Sequence, residues 1–179
     1  MSRSDNSIEL PNSGGKIFAF RTFGGFRITA PDGSDITPHS QKAQGLLAIL
    51  LTSPDFCRPR SKLQDLLWSD REQEQGAASL RQEISGLNKR FNVFNQVLRA
   101  DRTMVRLDKS FFEADCDENG PTELAITRNR GFLEGNNVKD PEFTNWLRDR
   151  RTEFENEQPT PAKIQHSDDK IAPRTLVLS

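Results

Sequence analysis

Cysteine and histidine are both scarce in this chain of 179 residues: two of each, at Cys57, Cys116, His39 and His166. The cysteines are far apart and form no CxxC pair, so neither a disulfide framework nor a structural zinc site is expected. No metal or cofactor is expected either. No apolar run approaches the roughly 20 residues of a membrane span, and MSRSDNSIELPNSGG has no apolar signal-peptide core. No membrane association is expected, and the unpaired cysteines fit a reduced, cytoplasmic setting. Enzymatic chemistry has no foothold. FGGF at 23–26 lacks the GxGxxG or GxxxxGK[ST] context of a phosphate loop, and no nucleophile–base pair or ligand cluster stands out.

Net charge is also nearly absent, at −1, but the average hides an asymmetry. From Lys16 to Lys109 there are fifteen Lys/Arg against ten Asp/Glu; from Ser110 to Glu157 there are six against twelve. A basic first part followed by an acidic second suggests separate tasks. Many domains without a polyanion partner carry as modest an excess.

The pattern along the chain divides it into four parts. Residues 1–15 read as a flexible leader, 16–110 as a folded domain, 111–157 as an acidic helical segment, and 158–179 as a linker. The closing TLVLS reads as the start of a further domain, which makes the chain a piece of a longer protein. Ile17–Phe23 and Phe26–Thr29 are aromatic and β-branched around Gly24-Gly25, which predicts strand, kink or bulge, and continued strand. Pro31-Asp32-Gly33 predicts a turn, with Ser34–Ile36 as a short returning strand.

A first helix is expected from Thr37, as N-cap, with Pro38 at N1, through Leu51; Ser61 should cap a second, SKLQDLLW. The run Arg71–Phe91 predicts a third. Ala77, Leu80, Ile84, Leu87 and Phe91 step by three and four along one buried face. The opposite face carries Gln75, Gln82, Ser85, Gly86 and Lys89, small polar groups and one cation. A helix lying in a DNA major groove presents such a face, and so does an ordinary amphipathic surface helix. Val97–Arg99 and Thr103–Leu107 predict a basic hairpin around Asp101-Arg102. Glu118–Thr127 suggests a short helix, and Asp140-Pro141-Glu142 a strong start for another that carries Phe143, Trp146, Leu147 and Phe154. Those large apolar groups, with Phe132, need a surface to pack on: the preceding domain or a second copy.

The order RTFGGFRIT…PHSQKAQGLLAILL…SRSKLQDLLWSDREQEQGAASLRQEISGLNKRF…LRADRTMVRLD resembles the OmpR/PhoB-type winged helix, in the version of the antibiotic regulatory protein (SARP) family. GFLEGNNVKDPEFTNWLRDRR resembles the start of the bacterial transcriptional activation domain that follows in those proteins. The resemblance covers roughly Phe18–Arg151, with LLW, SLRQ, FLEG, DPEF and WL as its most specific pieces.

The resemblance implies an α+β winged helix-turn-helix: an N-terminal antiparallel sheet, three helices and a C-terminal wing, extended by a short helical segment. It implies sequence-specific double-stranded DNA binding, the third helix in the major groove and the wing over the minor groove. Family contact positions fall on Ala78, Gln82, Glu83, Gly86 and Lys89, with Arg102 near the wing tip. Tandem half-sites are usual for such proteins, so a homodimer on DNA is expected, with RNA polymerase or another protein as a further partner. Gln82 and Ser85 would face base edges, with Gln75 and Ser79 in the same set. Lys89 and Arg90 would meet phosphates or guanine, Arg60 and Lys62 the backbone from the second helix, and Arg102 the backbone from the wing. The chain departs from the family at Glu83, Gly86 and Asn88, where basic or histidine side chains are usual. That departure keeps a second function open, a winged helix serving as a protein-interaction module.

Overall fold

Ten strands and α-helices, besides two short 3-10 turns at Pro54–Phe56 and Lys109–Phe111, order the described residues. In the computed structural model, which describes residues 17–91, 97–117 and 130–157, they are β1 (Phe18–Arg21), β2 (Arg27–Thr29), α1 (Gln41–Leu51), β3 (Cys57–Pro59) and α2 (Arg60–Leu67), then α3 (Gln73–Phe91), β4 (Leu98–Ala100), β5 (Met104–Leu107), β6 (Phe112–Ala114) and α4 (Pro141–Glu157). The architecture is α+β, with four helices and two three-stranded sheets among these residues. None of these helices is long and apolar enough to cross a membrane. The expected leader, the 118–127 helix and the 158–179 linker lie outside the described residues.

The first sheet has the order β2-β1-β6. Between β1 and β2 the chain does not continue past a kink, as expected; it reverses, and Phe20 pairs with Ile28 antiparallel. Gly24, at φ +78, helps supply the bend. The buried Asp115 carboxylate holds it by accepting from Thr22 N and Oγ1, both at 2.7 Å, and from Phe23 N at 3.1 Å. Nor is the sheet wholly antiparallel. β6 runs parallel to β1 and pairs Phe18 with Phe112, so the sheet takes a strand from beyond Ser110. The turn at Pro31–Gly33 forms, with Gly33 at φ +89, but Ser34–Ile36 contributes only a single bridge, Thr29 to Asp35.

α1 starts later than expected. Ser40, rather than Thr37, is its N-cap, and its side chain accepts from Ala43 N. Thr37 is spent on the sheet: its hydroxyl accepts from Ile28 N at 3.0 Å and donates to Asp35. Replacing Ser40 by Ala is expected to cost about 1 kcal/mol, read in thermal unfolding, because one orphan N–H of the first turn loses its acceptor. α2 also departs from expectation: Pro59, not Ser61, stands at its cap, and the Arg60 N–H donates to Thr103 O at 2.8 Å. The second sheet, β3-β5-β4, explains this. Arg58 and Ala100 both pair with Val105, so the expected hairpin acquires a third strand from the α1–α2 connection.

α3 begins at Gln73 rather than Arg71 and buries Leu80, Ile84, Leu87 and Phe91, with Ala77 half-buried. Phe91 meets Phe18 edge-on at 5.3 Å, which sets α3 against the first sheet. α4 starts as expected at Asp140-Pro141. Its Phe143 and Leu147 are buried, and Phe154 packs on Phe23 and Phe132 at 5.0 and 4.9 Å. The aromatic groups of the acidic segment therefore share the core of their own chain.

Cys116 also lies in that core. Burial pushes its thiol up to about 12, and the neighbouring Asp115 charge adds to the effect. A thiol reagent at about pH 8 is expected to modify the half-buried Cys57 first and Cys116 only on unfolding, which peptide mass spectrometry would resolve. The folded thiol ionises later than an unfolded one at about 9, so Cys116 makes stability fall as pH rises from about 9 toward 12.

Candidate nucleic-acid interface

The outer face of α3 is open. Gln75, Ala78, Gln82, Ser85, Gly86, Lys89 and Arg90 are exposed, as the helical period requires once Leu80, Ile84 and Leu87 point inward. Ser79 is half-buried and locally engaged: its hydroxyl accepts from Arg71 Nη1 at 2.8 Å and donates to Gln75 O at 2.9 Å. Glu83 turns away from this face. Its carboxylate accepts from the α1 cap hydroxyl, Ser40 Oγ, at 2.7 Å. The residue that most weakens the polyanion reading is thus tied to the helix behind.

The second sheet brings the hairpin beside the C-terminal half of α3. Arg60, Arg81, Ile84, Ser85, Asn88, Lys89 and Ala100 line an open groove of about 710 Å³ between α3, the start of α2 and β4. Three of these lining residues are cations and none is a carboxylate. Arg60 also donates from Nη1 to Asp101 O at 3.1 Å, so its guanidinium braces the hairpin turn. Asn88 Oδ1 is buried and accepts no hydrogen bond from the described residues.

Asp101 shapes the hairpin tip, accepting from Met104 N and Thr103 N, both at 2.8 Å. The Met104 and then the Thr103 N–H hold its carboxyl below the usual range. Arg102 stands exposed at the tip, while Arg99 is paired with Asp108 at 3.1 Å.

Of the residues singled out in the sequence, Arg60, Ser85 and Lys89 meet in the groove. Gln75, Ser79, Gln82 and Arg90 stay on α3 outside it, and Arg102 sits at the tip. Lys62, 3.8 Å from Asp65, lies elsewhere on α2. Arg81 was missed. The period of α3 does put it one turn before Ser85 and two before Lys89, but only the placement of the hairpin makes that stripe part of a groove.

No protein-family model and no curated protein matches the chain, so geometry carries the functional argument.

Gly86 is exposed, with nothing within 4 Å of where a Cβ would stand. Gly86→Ala is therefore expected to stabilise the protein by about 0.5–1 kcal/mol, seen as a raised unfolding midpoint, since no packing opposes the gain in helix propensity.

Proposed function

We propose that this chain binds double-stranded DNA sequence-selectively as part of a bacterial transcriptional regulator of the OmpR/PhoB-type winged-helix kind. In this reading α3 enters the major groove and the β4–β5 hairpin is the wing at the adjacent minor groove. The observation that carries it is the groove lined by Arg60, Arg81 and Lys89, with no carboxylate among the described lining residues, continuous with the exposed polar face of α3. Cations there would meet phosphates, and Gln82 and Ser85, exposed on the same helix, would reach base edges. A homodimer on paired half-sites and contact with RNA polymerase belong to the same proposal.

The experiment is selection from a random duplex library, followed by titration between about 50 and 200 mM salt. An enriched motif whose affinity falls steeply with salt supports the proposal; weak binding with no enriched sequence overturns it. A specific observation favours the second reading, a protein-interaction module. Gln75, Ala78, Gln82, Ser85 and Gly86 give much of the exposed α3 face no charge, which suits a protein surface as well as base edges. A failed selection points there.

A further inference from the structure

The buried carboxylate of Asp140 serves two elements that are remote in sequence. It caps α4, accepting from Glu142 N at 3.0 Å and Phe143 N at 3.4 Å. It also accepts from Ser69 N at 2.7 Å and Ser69 Oγ at 2.8 Å, in the turn between α2 and α3 and 71 positions earlier in the chain. Asp140 is 3% exposed, so these bonds are sheltered from competing water. We propose that Asp140 is a positioning residue for α3: through Ser69 it fixes the turn that sets where the first turns of that helix stand, so that the 130–157 segment controls the α3 face. The functional half of this statement rests on the DNA-binding reading.

The surroundings make the turn a suitable point of control. Arg71 N donates to Trp68 O at 3.1 Å and Gly76 N to Glu72 O at 2.9 Å, so little slack separates the two helices. Lys42 closes the other side: its Nζ donates to Leu67 O at 2.6 Å and lies 5.0 Å from the centre of the Trp68 ring. From the turn, Arg71 reaches Ser79 on α3 at 2.8 Å. A shift of Ser69 is thereby carried to side chains flanking the exposed face. Behind Asp140, Phe143 packs where a Cβ on Gly45 would lie 2.9 Å from its ring, so α4 has little room to slide. A contact couples distant segments only if both ends feel it, as Ser69 and the first turn of α4 feel the Asp140 carboxylate.

The test uses the full chain with Ser69→Ala, Asp140→Asn and both together. Ser69→Ala removes one bond to the turn and leaves Asp140 capping α4, and asparagine is itself a good helix cap, so both variants should fold. Hydrogen exchange of residues 69–80 is read first. Faster exchange there in Ser69→Ala, with α4 unchanged, supports the latch; unchanged exchange overturns it. The second readout is affinity for the duplex that the wild-type chain enriches. Ser69→Ala should lose roughly tenfold on that duplex and little on an unrelated one, because the phosphate contacts remain. Equal losses on both, or none, overturn the positioning role. If the wild-type chain enriches no duplex, the DNA reading fails, and exchange alone still decides whether Asp140 orders α3.

Discussion

Arg81→Ala with Lys89→Ala is expected to weaken binding to the enriched duplex roughly 30-fold or more, and to lower the salt dependence by about two counterions. Both side chains are exposed and line the groove, and neither belongs to an ion pair found among the described residues. Their loss should leave unfolding within about 0.5 kcal/mol of wild type, as for surface positions generally. The salt slope is the discriminating measurement. If both cations serve phosphates, the slope drops and the preferred sequence persists. If Arg81 reads a base edge, the affinity loss concentrates on one position of the motif and the slope drops by about one. A double variant that binds as wild type removes the groove from the interface. Lys62→Ala tests how far the interface extends along α2: Lys62 lies off the groove beside Asp65, so a loss as large as that of Arg81→Ala carries the interface beyond the groove, and a smaller one confines it there.

Phe143→Ala should cost about 3–5 kcal/mol, measured by urea unfolding, because the ring is 1% exposed and wedged among α1, α2 and α4. Gly45→Ala should also destabilise, by about 1–3 kcal/mol. Its Cβ would come within 2.9 Å of Phe143 Cε2 and 3.2 Å of Leu67 Cδ2, and that clash exceeds the gain in helix propensity. The same substitution at Gly86 has the opposite expected sign, since that glycine faces open space. Combining Gly45→Ala with Phe143→Ala tests the contact directly. With the ring gone, the added methyl should be neutral or stabilising, a non-additivity that separate sites would not show. Additive costs would place the strain elsewhere.

The second helix-forming signal of the chain illustrates how far local chemistry reaches. Ser61 and Thr37 both satisfied the residue preferences of a cap, and neither is one. Thr37 lost to partners two and nine residues away, and Ser61 to a long-range one. The hydroxyl of Thr37 serves Ile28 and Asp35 on the first sheet, and the first N–H of α2 is satisfied by Thr103 from the hairpin. Asp140 kept its sequence-assigned role as the cap of α4, yet half of its bonds go to Ser69, which no spacing rule connects to it. Gly24-Gly25 likewise signalled a bend. Whether the bend kinks a strand or reverses it was settled by β6 and Asp115, more than ninety positions away.

By itself, the sequence determined the inner face of α3, the start of α4, the turn at Pro31–Gly33 and the hairpin between Leu98 and Leu107. Each of these depends on interactions within a few residues: helical period, cap and proline, positive φ at glycine, side-chain closure of a turn. Tertiary structure alone decided that β3 joins the hairpin and β6 the first sheet, and that Glu83 turns to Ser40. It also decided that Arg81 shares a groove with Arg60 and Lys89. Short strands such as CRP and FEA carry too little pattern to name a partner, and a side chain on a helix has no fate until its neighbours are placed. The physical reason is the same in each case: local preferences are worth tenths of a kcal/mol to about one, and burial of the surrounding core outweighs them.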